Sequence, residues 1–157
     1  MTITRLVATA ALALGLALAP GGAGAFQGGA KVTGPGAEDY AAGKKAVKSG
    51  DYQAAVPLLA KAVAANPRIA DAHNLLGYSY RKLGDVEAAF RHYGSALELD
   101  PEHRGANEYI GELYLETGNL AKAEEHLDVL DGACFFGCPE YTDLKEAVTA
   151  YKASHGG

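Results

Sequence analysis

The sequence has no excess of basic residues and no room for a second domain. Its 157 residues include 14 Lys and Arg against 19 Asp and Glu, which gives a formal net charge of −5. General binding to nucleic acid or anionic lipid depends on clustered basic residues that neutralise phosphates. The composition therefore disfavours both partners, and the length fits one small globular domain.

The sequence motifs of common enzymes are also missing. There is no Gly-x-Ser-x-Gly, no His-Glu-x-x-His, no Gly-x-x-x-x-Gly-Lys-Ser/Thr and no calcium loop. The histidines are spread along the chain without the spacing of a ligand cluster: His73, His92, His103, His126 and His155. We therefore expect a protein that is not an enzyme and has no cofactor or metal.

The first 25 residues have the features of a secretory signal peptide. Arg5 precedes an apolar run over residues 6–18, Pro20 interrupts it, and small residues occupy positions 23–25. The run is shorter than the roughly 20 residues that cross a bilayer, so we expect no stable membrane insertion after cleavage. Cleavage after Ala25 would release a periplasmic or secreted protein. Residues 26–36, with four Gly and one Pro, are expected to form a flexible leader.

Small residues recur at a spacing of 34. The aligned sets are Gly43, Gly77 and Gly111; Gly50, Gly84 and Gly118; Ala55, Ala89 and Ala123; Leu59, Tyr93 and Leu127; Ala62 and Ala96; and Pro67 and Pro101. This period and pattern resemble the tetratricopeptide repeat family, in which each unit is a pair of helices joined by a tight turn. Gly77 and Ala89 would allow the two helices of the middle repeat to approach closely, and Gly84-Asp85 would form the turn between them.

The resemblance and the apolar periodicity together predict an all-α fold. Three helical hairpins over residues 37–69, 70–103 and 104–131 would stack as a short right-handed superhelix, followed by a loop over 132–138 and a capping helix over 139–157. The predicted helices span residues 38–49, 52–65, 70–83, 86–99, 104–117 and 120–131, with a last helix from Pro139. Pro57 falls inside the second helix, where it should cost a hydrogen bond or bend the helix.

The resemblance also implies a binding surface, because the first helices of such repeats line a groove that holds a peptide. The residues at groove positions are Tyr40, Lys44, Lys48, Asn74, Tyr78, Arg81, Lys82, Glu108, Glu112, Leu115 and Glu116. This lining is basic over two repeats and acidic over the third, so we expect a protein segment that carries both charge signs. Alternatively, the charges pair between neighbouring helices, for example Lys82 with Glu116. A clamp for a terminal carboxylate is not expected, because Glu108 and Glu112 stand where it needs basic residues.

Cys134 and Cys138 are the only cysteines, and in an exported chain they are expected to form a disulfide. This loop and the helix after it resemble those of small exported bacterial repeat proteins. The alternative is a thiol site that binds Cu(I), with His126 as a third ligand, or that is redox-active. The sequence predicts a protein-interaction module and leaves the partner and any self-association open.

Overall fold

The computed structural model describes residues 31–156, and this part of the chain forms helices and no strand. The seven helices within it are α1 (Ala37–Lys48), α2 (Tyr52–Ala65), α3 (Ala70–Lys82), α4 (Val86–Leu99), α5 (Arg104–Glu116), α6 (Leu120–Ala133) and α7 (Pro139–His155). The all-α prediction is confirmed, and the helix bounds differ from the predicted ones by no more than two residues. The predicted signal peptide and the leader up to residue 30 lie outside the described residues.

Each hairpin turns at a glycine that has a positive φ. Gly50, Gly84 and Gly118 have φ values of 76°, 84° and 81°, a conformation that other residues adopt only with strain. The next residue accepts a hydrogen bond from a backbone N–H in the first turn of the second helix: Asp51 from Ala54, Asp85 from Ala88 and Asn119 from Lys122. The turn and the start of the second helix are therefore set by two adjacent residues.

The two helices of a hairpin touch at a position where a side chain would not fit. A Cβ added to Gly43 would lie 2.6 Å from Leu59 Cγ, and one added to Gly77 would lie 2.6 Å from Tyr93 Cδ1. The same contact at Gly111 is made by Leu144 of α7, at 2.6 Å, and not by Leu127, which holds the equivalent position in the 34-residue pattern. The third hairpin thus completes its packing with the capping helix.

The last helix is part of the core. Leu144 is fully buried and Val148 is 4 % exposed, and both pack in one cluster with Leu115, Leu130 and the two cysteines. α7 contacts both α5 and α6. It covers the apolar surface that a further repeat would otherwise have to cover.

Pro57 does not interrupt the second helix. α2 continues through Pro57, whose ring lies at an exposed position, so the backbone carbonyl that it leaves without an N–H donor is near solvent.

None of the helices within residues 31–156 combines the length and hydrophobicity that crossing a bilayer requires.

We expect Gly77→Ala to lower the free energy of unfolding by about 1–3 kcal/mol, because the new methyl group overlaps the buried Tyr93 ring. The matched control is Gly94→Ala. Gly94 lies inside α4 with no atom within 4 Å of an added Cβ, so this change should stabilise the protein by roughly 0.5–1 kcal/mol. Urea unfolding followed by circular dichroism measures both. Equal effects of the two substitutions would contradict the close-packing account.

Candidate functional site

The first helices of the hairpins lie side by side and share one surface with the capping helix. α3 contacts α1 and α5, and α5 contacts α7. We call the surface formed by α1, α3, α5 and α7 the first-helix face. All the predicted groove residues lie on three of these four helices.

Several predicted contact residues are nearly buried. Tyr40, Asn74, Glu108 and Leu115 are 7 %, 6 %, 8 % and 9 % exposed. Tyr40 packs in the core of the first hairpin and Leu115 in the cluster that includes α7. Little of their surface is left to touch a ligand, so apolar contact on this face has to come from other side chains.

A pocket of about 300 Å³ opens between α1, α3 and α5. Its walls and rim are formed by Lys44, Val47, Lys48, Leu75, Tyr78 and Tyr109, and we call it the tyrosine pocket. The rings of Tyr78 and Tyr109 are 4.8 Å apart, and Tyr52 meets Tyr78 edge-on at 5.8 Å, so the aromatic wall is held from two sides. Among the residues described, neither lysine of the rim lies within 4 Å of a carboxylate.

The lysines and tyrosines of α1 and α3 form local pairs. Lys44 Nζ lies 5.6 Å from the centre of the Tyr40 ring and 3.5 Å from its hydroxyl. Lys82 Nζ lies 5.2 Å from the Tyr78 ring centre. Burial, with a contribution from nearby Asp71, raises the pKa of Tyr40 to about 12, so its hydroxyl stays protonated at neutral pH.

Arg81 carries the ion pairs between α3 and α5. Its guanidinium lies 2.5 Å from Glu112 Oε2 and 2.5 Å from Glu116 Oε1, and only 9 % of its side chain is exposed. Charges on this face therefore do pair between neighbouring helices, but the suggested Lys82–Glu116 pair is not formed. Arg81, one residue earlier on the helix, points toward α5, whereas Lys82 lies beside Tyr78. Burial disfavours the charged guanidinium, but the hydrogen bonds that Arg81 donates to Glu116 and Glu112 outweigh this effect and raise the pKa of Arg81.

Glu108 lies at an acidic boundary between α5 and α7. Within residues 31–156 it has no hydrogen bond and no ion pair closer than 4 Å. Burial, followed by repulsion from Glu112, Asp143 and Glu140, raises its pKa to about 8. The acidic end of the face therefore contains a carboxyl that is largely protonated at neutral pH. In addition, Oε2 of Glu140 is buried without a partner.

A second and larger pocket, of about 680 Å³, lies between the C-terminal halves of α5 and α7. Its apolar part is formed by Leu115, Ala147, Ala150 and Tyr151, and its edge by Glu116 and His155. The sequence analysis missed the α7 side of this pocket, because it assigned that helix only a capping role. It also missed Tyr109, which directly follows the predicted Glu108.

Asp71 and His103 link α3 to the start of α5. Nδ1 of His103 accepts the N–H of Ala106, so the proton of a neutral ring is on Nε2, which lies 3.2 Å from Asp71 Oδ1. This hydrogen bond is the main cause that lowers the pKa of Asp71, and burial opposes it. The pair therefore connects the second hairpin to the third.

Cys134 and Cys138, which are predicted to form a disulfide, lie at disulfide distance. Cu(I) binding through this loop needs two thiolates, which the disulfide does not provide. The third ligand suggested for it is also engaged elsewhere: His126 Nδ1 lies 2.8 Å from Asn107 Oδ1, and the ring stacks on Tyr114. The described part of the chain contains no group of three His, Cys, Asp or Glu that could hold a metal ion.

The raised pKa of Glu108 predicts a pH dependence of stability. In the unfolded chain the carboxyl ionises near its ordinary pKa of 4.5, whereas in the folded protein it does so near 8. Between these values the folded state holds a proton that the unfolded state has released, so its stability falls as the pH rises from about 4.5 to 8. Glu108→Gln should remove this part of the decline in urea unfolding midpoints. Glu98→Gln, at an exposed site of α4, is the control and should leave the profile unchanged; identical profiles for the two variants would contradict the prediction.

Comparison with known proteins agrees with this architecture. The chain matches the tetratricopeptide repeat family over residues 40–93 and 76–134. No curated protein sequence is significantly similar to it. Among solved structures it is similar to the TPR2B domain of yeast Sti1 in a complex with pHsp70, with 19 % identity, a TM-score of 0.69, and 76 % of this chain and 98 % of that chain covered.

Two further structures have the same fold. One is the second domain of this type in human RPAP3, in complex with an HSP70 peptide, with 20 % identity, a TM-score of 0.62 and coverage of 69 % and 91 %. The other is the type III secretion chaperone SycD of Yersinia enterocolitica in complex with a peptide of the translocator YopD, with 20 % identity, a TM-score of 0.63 and coverage of 74 % and 88 %. The family match, together with the paired helices and the repeated glycine contacts, shows that the chain belongs to the tetratricopeptide repeat family.

Proposed function

We propose that this protein is a non-catalytic interaction module that binds a segment of another protein along the first-helix face. The observation that carries the proposal is the tyrosine pocket, which combines an apolar wall with two exposed lysines that have no carboxylate within 4 Å among the described residues. The fold supports it as well, because the similar structures of Sti1, RPAP3 and SycD are described as complexes with partner proteins or peptides.

The charges of the face indicate the kind of segment that fits. An apolar side chain would enter the tyrosine pocket, and a neighbouring acidic residue would lie near Lys44 and Lys48. Toward α5 and α7 the free charge is acidic, so a basic residue of the ligand fits there. The HSP70 peptide bound to RPAP3 ends in the acidic sequence EEVD; at the α5–α7 end of this face such a tail would meet the carboxylates of Glu140 and Asp143. The ligand is therefore expected to carry acidic residues only at the α1–α3 end.

Charge reversal at the pocket rim tests the groove. Peptides selected from a random library on the purified protein should bind Lys48→Glu about tenfold more weakly, because the change places a negative charge where we expect an acidic ligand residue. The effect should shrink with added salt. Fluorescence anisotropy of a labelled selected peptide gives the dissociation constant. Lys61→Glu, at an exposed position of α2 away from this face, is the matched control. If both variants bind the peptide equally well, the segment does not lie along the first-helix face.

We also propose that the chain is exported, with residues 1–25 as a cleaved signal peptide. Support comes from the apolar run over residues 6–18 and the small residues before Ala25. The disulfide between Cys134 and Cys138 is typical of an oxidising compartment.

Expression of the full chain in a bacterium tests this location. We expect a periplasmic protein whose intact mass corresponds to a first residue of Phe26. An Ala23→Arg/Ala25→Arg variant should be retained unprocessed, because signal peptidase needs small residues there. A wild-type protein recovered from the cytosol with residue 1 intact would contradict the proposal.

A further inference from the structure

The most exposed apolar side chains of the described chain are next to each other. Phe135 is 86 % exposed and Phe136 is 97 % exposed. They lie in the five-residue loop closed by Cys134 and Cys138, which we call the Phe loop. The two rings meet edge-to-face, with centroids 5.1 Å apart. No other ring contact is made by either of them within residues 31–156.

The anchoring of the loop explains why the rings stay exposed. Cys134 and Cys138 are 9 % and 8 % exposed and pack in the core cluster with Leu130 and Leu144. Because both ends are fixed in the core and joined covalently, the three residues between them are held outside it. Gly137 completes the turn with a φ of 83°. Such a rigid apolar projection can contact a partner with little loss of conformational freedom.

The surroundings of the loop are acidic. Asp128 and Asp131 lie in the last turns of α6, and Glu140 and Asp143 in the first turns of α7. The sequence has no Lys or Arg from residue 123 to residue 144. A surface of anionic lipid would be repelled by these charges. The complementary surface is instead an apolar pocket with basic residues on its rim.

The chain itself carries such a pocket. The tyrosine pocket has walls of Val47, Leu75, Tyr78 and Tyr109, and its exposed lysines, Lys44 and Lys48, have no acidic partner within 4 Å in the described chain. Its volume of about 300 Å³ is large enough for the side chain of a phenylalanine. The Phe loop cannot reach the pocket of its own molecule, because it is fixed at the junction of α6 and α7, whereas the pocket lies between α1, α3 and α5.

We propose that the Phe loop of one molecule docks into the tyrosine pocket of a second copy of this chain. The contact joins two different surfaces, so it is heterologous and can add molecules head to tail. Phe135 or Phe136 would enter the pocket, and the exposed Asp131 would lie near Lys44 and Lys48. The proposal rests on the proposed function, because it names one occupant of the α1–α3 end of the same face; the loop has no basic residue for the α5–α7 end.

Sedimentation velocity of the purified, oxidised protein tests the contact. We expect reversible self-association that increases from about 10 µM to 1 mM and weakens with added salt. Phe135→Ser/Phe136→Ser and Lys44→Glu/Lys48→Glu should each be monomeric. Mixed together, the second variant supplies an intact loop and the first an intact pocket, so a discrete one-to-one dimer should form. Circular dichroism confirms that both variants are folded.

Each other outcome overturns the proposal. No association of the wild type up to 1 mM, or variants that are monomeric and stay so when mixed, would exclude the head-to-tail contact. If the Lys44→Glu/Lys48→Glu variant still associates and the Phe135→Ser/Phe136→Ser variant does not, the contact is between two Phe loops. Binding of the wild type, but not of the serine variant, to vesicles of phosphatidylethanolamine and phosphatidylglycerol would make a bilayer the occupant.

A separate measurement distinguishes failure of this contact from failure of the proposed function. The Phe135→Ser/Phe136→Ser variant keeps the first-helix face unchanged. It should bind a library-selected peptide at least as tightly as the wild type does, because no second copy competes for the pocket. If the wild type binds the peptide but does not self-associate, only the docking of the Phe loop is refuted. If the wild type does neither, the first-helix face is refuted as a binding surface.

Discussion

Close contact between the two helices of each hairpin is the constraint on which the rest of the structure depends. At Gly43 and Gly77 a side chain from the second helix of the hairpin occupies the space where a Cβ would be, and at Gly111 Leu144 of the capping helix does so. This allows the backbones to approach and brings the first helices into one row, from α1 to α5. The row creates the tyrosine pocket, because its walls come from three different helices. The proposed binding surface is thus a consequence of packing at residues that do not line it.

The repeat pattern was sufficient to predict the helices, because their formation depends on local spacing. The 34-residue period placed the glycines, and the Gly-Asp pair at residues 84–85 correctly marked a turn and a cap. Contacts between helices were harder to predict. A step of one residue turns a side chain by about 100° around a helix, and this step decides that Arg81 rather than Lys82 pairs with the acids of α5. Likewise, no local signal shows that Leu144 packs on Gly111.

The sequence predicted which helices carry the groove residues, but not which of these side chains are exposed to solvent. The residues predicted from the family resemblance lie on the first helices, yet neighbouring helices lie so close that Tyr40, Asn74 and Glu108 are almost covered. Exposure depends on the packing of the adjacent helix, which a sequence period does not contain. Tyr109 shows the converse: its neighbour Glu108 holds the nominal groove position, but the ring of Tyr109 lines the pocket.

The distribution of charge gives the first-helix face a direction. Arg81 neutralises much of the acidic charge of Glu112 and Glu116, so the basic charge outside these ion pairs lies on Lys44 and Lys48 of α1 and on Lys82 of α3. At the other end, Glu108 lies among three further carboxylates and is protonated at neutral pH because ionisation there is costly. A cation placed beside these groups would favour their ionised form, whereas an anion would add to the repulsion. A segment with an acidic and a basic end is therefore favoured in only one of the two orientations along the face.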